Sequence, residues 1–335
     1  MRKLGVLILG TALSFSCLFH SYNALTASAE QKTVYVGGMS AGFTLKTEGA
    51  QIIGICEVVS DNGISSPALE SGLRTGDTIM KVGGIRVDSI NALNEIVNKS
   101  QGNTIPVEIE RGKESLTLDI QPKKDKITQK YKIGVLVRDS VSGIGTVTYI
   151  DKEKGRFGSL GHTVVGENNH QMKISDGTVY ECNIVGICKG IRGKAGELRG
   201  MFLSDKVFGN AEKLCNCGIF GKISKDFETD GLTSAVATSQ GAKPGDAYIY
   251  STVSGVCPKR YEIEIVKIDK NNKENKNYVI KITDSELIEE TGGIVQGMSG
   301  SPILQDGKLI GAVTHVFLND PTRGYGIDIQ TMLQQ

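Results

Sequence analysis

Glycine recurs about once in every eight residues, 42 times in 335, against a usual share of roughly 7%. A backbone punctuated this often turns back on itself repeatedly and leaves little room for long helices. Between the glycines lie short apolar runs that alternate with polar residues, the period of half-buried strands. The chain is 39% hydrophobic, enough to pack cores, so wholesale disorder is excluded. Its length fits about two domains. Lys+Arg and Asp+Glu nearly cancel, 38 against 37, so no basic field exists to draw in nucleic acid.

The N-terminus reads as an export signal over residues 1–29. Arg2 and Lys3 precede an apolar run from Leu4 to Phe19, and small residues follow at Ala27-Ser28-Ala29. The run is short for crossing hydrocarbon, so a secretory signal peptide is expected, with an uncleaved signal anchor as the alternative. The mature protein is then exported, tethered to a membrane if the segment stays. Beyond Cys17 lie Cys56, Cys182, Cys188, Cys215, Cys217 and Cys257. An exported chain with an even count permits disulfides, but no pairing follows from the spacing. Cys215-Asn216-Cys217 is neither a zinc knuckle nor a C-x-x-C redox motif. The histidines are too few and scattered for a metal site. No metal and no cofactor is expected. Cys56, inside an apolar run, reads as a buried small hydrophobe.

Residues 34–122 form a first module of strands around a short helix (67–73) and a longer one (89–99) with Ser89 as its N-cap. Its centre, Ser66-Pro67-Ala68-Leu69-Glu70-Ser71-Gly72-Leu73-Arg74-Thr75-Gly76-Asp77, resembles that of a PDZ domain. The resemblance implies an α+β fold. It also implies a loop whose backbone N–H groups capture a chain-terminal carboxylate, here matched to Ser40-Ala41-Gly42-Phe43, and a peptide held by strand addition. The usual form of that loop is G-L-G-F, from which this stretch departs. A charged segment at 123–131 reads as a linker.

Residues 132–335 contain many short β-rich runs, among them 132–137, 145–150, 164–172, 178–184, 218–223, 247–253, 261–268, 278–282 and 309–316. About 200 such residues without helical periodicity predict an all-β sandwich or a pair of barrels. Two strings carry chemistry. Gly297-Met298-Ser299-Gly300-Ser301-Pro302 resembles the nucleophile loop of trypsin-like serine proteases. Gly297 lets its N–H turn inward, and Ser299 stands at the tip of a tight turn. The N–H groups of Gly297 and Ser299 then converge on a developing oxyanion. Ser301, past the turn, is a rival nucleophile. The second string is Phe157-Gly158-Ser159-Leu160-Gly161-His162. A serine hydroxyl needs a base, and histidine has the ionisation for that work. His162 is preferred over His170, which sits among amides, and over His315, which follows the serine on a predicted binding strand.

Together with the PDZ-like module, these strings resemble the SpoIVB peptidase family, PDZ-containing signalling serine proteases of endospore-forming bacteria. The resemblance covers the whole chain. It implies a mainly β fold, a PDZ domain followed by a trypsin-like double β-barrel peptidase domain. It further implies an enzyme secreted into the space between the forespore and mother-cell membranes. There it would cleave itself, at its own N-terminal segment. It would also cut a membrane-anchored regulator of an intramembrane metalloprotease, leading to sigma-factor activation. For the third triad member the family favours Asp284, fifteen residues before Ser299. The longer spacing usual in trypsin-like chains favours Asp176 or Asp205. Asp284 also reads as an N-cap for residues 285–290.

Overall fold

The computed structural model describes residues 32–164 and 174–335. The expected signal segment, His170 and most of the strand expected at 164–172 lie outside them. The fold is mainly β, with 56% strand and 9% helix, as the glycine punctuation and alternating runs predict.

Two closed six-stranded barrels form the larger part of the described residues. The first uses β2 (Ser40–Ile55), β11 (Val135–Asp151), β12 (Arg156–Ser159), β13 (Ile174–Cys188), β14 (Glu197–Cys215) and β15 (Gly218–Ile223). Hydrogen bonding runs β2-β11-β12-β15-β14-β13 and back to β2. The second uses β17 (Gly245–Ser251), β18 (Lys259–Ile268), β19 (Tyr278–Ile282), β20 (Pro302–Gln305), β21 (Lys308–Phe317) and β22 (Asp320–Asp328). Its order is β17-β18-β19-β22-β21-β20, closing on β17. Closure gives each barrel strand partners on both sides over part of its length, the reason such short strands hold together in water. Two further strands stitch the barrels together. β1 (Thr33–Val36) pairs with β11 and with β16 (Ser234–Ala237), and β16 runs parallel to β21.

The PDZ-like lobe hangs from the first barrel rather than preceding it. It contains the hairpin β3 (Val58–Ser60) and β4 (Gly63–Ser65), then α1 (Pro67–Glu70), β5 (Thr78–Val82) and β6 (Ile85–Arg86). After these come α2 (Ile90–Lys99), β7 (Ile105–Arg111), β8 (Glu114–Ile120), β9 (Lys123–Lys124) and β10 (Tyr131–Lys132). Its core runs from Ala50 and Ile52 through Leu93, Val107 and Ile109 to Ile120 and Ile133. Ala41, Phe43 and Leu45 instead pack with Val147, Phe157 and Ile219 inside the first barrel. The long strands β2 and β11 are therefore shared. Their outer parts pair in the PDZ-like lobe, Val135 with Ile55, and their inner parts in the barrel, Gly145 with Ala41. The lobe is inserted between two barrel strands. A first module read as 34–122 takes in the whole of β2, whose inner part also forms barrel wall. Cys56, expected to be buried, is exposed.

Candidate active site

The nucleophile string lies in the turn before β20, in the second barrel. Gly297 and Gly300 have φ of +99° and +97°, the left-handed region that favours glycine. The first barrel grips this turn from across the interface. On β11, Thr146 N–H donates to the Ser299 carbonyl at 2.9 Å. Thr146 Oγ1 donates to the Gly297 carbonyl and Thr148 Oγ1 to the Gly300 carbonyl, both at 2.8 Å. Both threonines are fully buried. With the carbonyls drawn to one side, the N–H groups of Gly297 and Ser299 donate to no acceptor among the described residues. They remain available for a developing oxyanion. Sequence reasoning missed Thr146 and Thr148. Their only signal was a pair of hydroxyls alternating with Val147, whose side chain packs in the first barrel's core.

His162 arrives from the first barrel. Leu160 and Gly161, with φ of +67° and +72°, bend the chain at the end of β12 and lead His162 into the cleft that Ser299 lines. A left-handed leucine is strained, and its burial holds it there. The cleft encloses about 450 Å³ between Phe43, Leu45 and Ile144 on one wall and Val295, Gln296 and Val316 on the other. His162, Gly297 and Ser299 thus line one cavity built from both barrels.

The hydrogen bonds within it describe a resting arrangement. Ser299 Oγ donates to the Thr314 carbonyl at 2.8 Å. His162 Nδ1 lies 2.7 Å from the Thr163 carbonyl, so Nδ1 carries the proton and the Nε2 lone pair stays free. No hydrogen bond joins Ser299 and His162 among the described residues. His315 packs against His162, ring centroids 4.9 Å apart. Ser301 is excluded as nucleophile, since it is buried with its hydroxyl on Ser251 Oγ at 3.0 Å.

The expected acid, Asp284, is engaged at the start of a helix. Asp284 caps α3 (Ser285–Thr291), its side chain accepting from Leu287 N–H at 3.0 Å and from Glu262 N–H at 3.3 Å. Asp176 Oδ1 accepts from its neighbour Gly177. Neither of these, nor Asp205, pairs with His162, and among the described residues no carboxylate does. The Thr163 carbonyl holds the imidazole instead. Asp284→Asn is therefore expected to change kcat by less than about threefold, because asparagine caps a helix as well as aspartate does. A triad acid would cost about 10⁴, and steady-state kinetics separates the two.

The PDZ loop assignment is corrected. Ser40–Phe43 lies within β2, paired along one edge with β11 and along the other with β13. Alternation turns Ala41 and Phe43 into the barrel core, and both ladders consume the N–H groups a carboxylate would need. The groove-like feature is elsewhere. α2 runs beside the start of β11, with Ile90 N–H on Asp139 Oδ2 at 2.8 Å and Tyr131 N–H on Asn98 Oδ1 at 3.1 Å. The loop entering it is Ile133-Gly134-Val135, with Gly134 at φ +77°. Its hydrophobic–glycine–hydrophobic pattern was the available signal. It follows the PDZ-like core in the chain, where a search upstream does not look.

Burial holds the His162 ionisation below the usual 6.5, opposed by its bond to the Thr163 carbonyl. His315 is pushed down to about 4 by burial of its ring, and to a lesser degree by repulsion from His162 and Lys276. The residue as a whole is exposed at the cleft mouth, so water screens part of this effect. A base must be neutral, so the acid limb of kcat/KM is expected to fall below pH 6.5. A limb at or above 6.5 would contradict the burial of His162. The same shifts link to stability. The unfolded chain takes up these protons near pH 6.5 and the folded chain only lower. Their contribution is complete above that value and is lost as pH falls from 6.5 toward 4.

A family model described as SpoIVB peptidase S55 matches residues 129–333, and one described as PDZ domain matches 39–121. Serine protease HTRA1 of Xenopus tropicalis is 35% identical over 82 residues, 24% of this chain. The match spans only 16% of that relative's length. Among solved structures, the PDZ domain of an SdrC-like protein from Listeria monocytogenes is 20% identical, with a TM-score of 0.23. It covers 28% of this chain and 90% of its own. The inactive form of the Rv3671c protease from M. tuberculosis is 15% identical, with a TM-score of 0.32, over 57% of this chain and 82% of its own.

Proposed function

Because the chain belongs to the SpoIVB peptidase S55 family and is a PDZ-containing serine peptidase, we propose that it is an exported signalling endopeptidase of sporulation. On this reading it cuts its own N-terminal segment. It then cuts a membrane-anchored regulator of an intramembrane metalloprotease, in the space between forespore and mother cell. The observation that carries the peptidase chemistry is the convergence of Ser299, His162 and two unengaged N–H groups on one cleft.

The reaction is acyl transfer. Ser299 Oγ leaves the Thr314 carbonyl, swings to His162 and attacks the substrate carbonyl as His162 takes its proton. The Gly297 and Ser299 N–H groups hold the oxyanion. His162 then protonates the leaving amine, and water repeats the sequence in reverse on the acyl-enzyme. The Thr163 carbonyl orients the ring throughout.

The PDZ-like lobe is proposed to take an extended peptide beside β11, between Val135 and α2, by strand addition. The same strand continues into the cleft wall at Val141–Ile144. A peptide seated there would therefore bear on the cleft directly.

A second reading, an inactive protease-fold scaffold, draws on the absence of a Ser299–His162 hydrogen bond. Labelling with a fluorophosphonate and mapping the modified residue by mass spectrometry decides between them. The expected result is a tag on Ser299, together with loss of the N-terminal segment in the parent and its retention in Ser299→Ala. A chain that takes no tag, or takes it elsewhere, overturns the proposal.

A further inference from the structure

We propose that the cleft selects an aliphatic side chain on the acyl side of the scissile bond, held in a shallow pocket between Val316 and the Ile294–Gln296 stretch. This rests on the peptidase reading and adds a substrate class to it. Ser299 Oγ lies 2.8 Å from the Thr314 carbonyl, so a carbonyl presented to it lies alongside β21. One edge of this part of β21 is occupied, Val316 opposite Gly324. On the other edge the ladder to β20 ends at Ala312, and the backbone bonds of the nucleophile turn end at Val313. From Thr314 onward that edge has no strand partner among the described residues. A substrate backbone adding there sends the side chain before the scissile bond past Ser299, into the gap between β21 and the approach to the nucleophile turn.

That gap is closed below and apolar on its sides. A Cβ placed on Gly324 would meet Ile294 Cδ1 at 2.6 Å and the His315 carbonyl at 2.4 Å. The branched end of Ile294 therefore fills the space beneath the strand, where a deep pocket would need to continue. Ile294 and Val295 are each 2% exposed. Their burial leaves them little freedom to withdraw. Val316, half-buried on the facing strand, narrows the entrance. None of the described residues lining the cleft is an aspartate, glutamate, lysine or arginine. A charged side chain entering would lose its water with no partner to replace it. An aromatic ring would be stopped by Ile294 before its area was buried. Valine and leucine fit the depth and gain from it.

The test is a series of internally quenched peptides that differ only at the residue before the scissile bond, carrying alanine, valine, leucine, phenylalanine, arginine or glutamate. Each is run on the full chain alongside fluorophosphonate labelling of Ser299. Valine and leucine are expected to exceed arginine and glutamate by roughly a hundredfold or more in kcat/KM, the scale on which a pocket rejects an unpaired charge. Val316→Asp is expected to raise cleavage after arginine while lowering it after leucine. Ile294→Ala is expected to admit phenylalanine. If Ser299 is labelled but arginine or glutamate is cut best, or if Val316→Asp leaves the ranking unchanged, the pocket assignment falls and the peptidase reading stands. If Ser299 takes no label and no peptide is cut, the peptidase reading fails and the pocket with it.

Discussion

Ser299→Ala is expected to lower kcat for peptide hydrolysis by at least about 10⁴, the scale of loss when a serine nucleophile is removed, and to abolish fluorophosphonate labelling. The expectation is this large because nothing nearby can substitute. Ser301 is turned into the core on Ser251 Oγ, and Ser159 is buried with its hydroxyl on the Ile219 carbonyl at 2.9 Å. The fold has little reason to suffer. Ser299 Oγ makes one hydrogen bond, to the Thr314 carbonyl, whose loss costs about 1 kcal/mol. The variant is thus expected to melt within a few degrees of the parent while losing its chemistry. Ser301→Ala is the matched control and is expected to keep most of its activity. Residual hydrolysis by Ser299→Ala at more than about a hundredth of the parent rate would mean that another group attacks the carbonyl.

Gly300→Ala is expected to disable the site by a different route. The residue sits at φ +97°, and an added Cβ would lie 2.1 Å from the Thr146 carbonyl oxygen and 2.6 Å from Leu160 N. Both obstacles are backbone, one on β11 and one on the turn that delivers His162, so neither can rotate away. The turn must then move, and with it the donors that flank it on either side. Oxyanion donors work only within a few tenths of an ångström of their proper distance, so kcat is expected to fall by at least about 10³. The strain and the separation of the barrels together are expected to cost on the order of 3 kcal/mol of stability. Urea unfolding and labelling rate measure the two effects. A Gly300→Ala protein with parental stability and parental labelling would show that the barrels do not meet as tightly at Thr146 as the structure has them.

How far the site could be read in advance divides along clear physical lines. His162 and Ser299 were legible because each sits in a short string whose glycines are dictated locally, by the turns at Leu160-Gly161 and Gly297–Gly300. The oxyanion donors follow from the same turn. Thr146 and Thr148 were not legible, since what matters is the carbonyls they meet from about 150 residues away in the chain. Asp284 has two readings because capping and catalysis ask for the same residue type. Its local sequence satisfies the cap, and only the position of His162 decides whether it does anything more. Ser40–Phe43 misled for a related reason. An alternating strand looks the same whether one edge is open or both are taken.

The amino-acid order alone determined the mainly β character and the PDZ-like motif, and it carries the two strings that point to Ser299 and His162, because each depends on neighbours within a dozen residues. The tertiary structure decided that the PDZ-like lobe is nested between two strands of the first barrel, that Ser40–Phe43 is barrel wall, and that the Thr163 carbonyl meets His162 Nδ1. Those outcomes depend on which strand edges meet and which polar groups come to face one another. Edge pairing joins segments about 100 residues apart, as with Ala41 and Gly145. The pattern of side chains along either strand does not say which partner it will find.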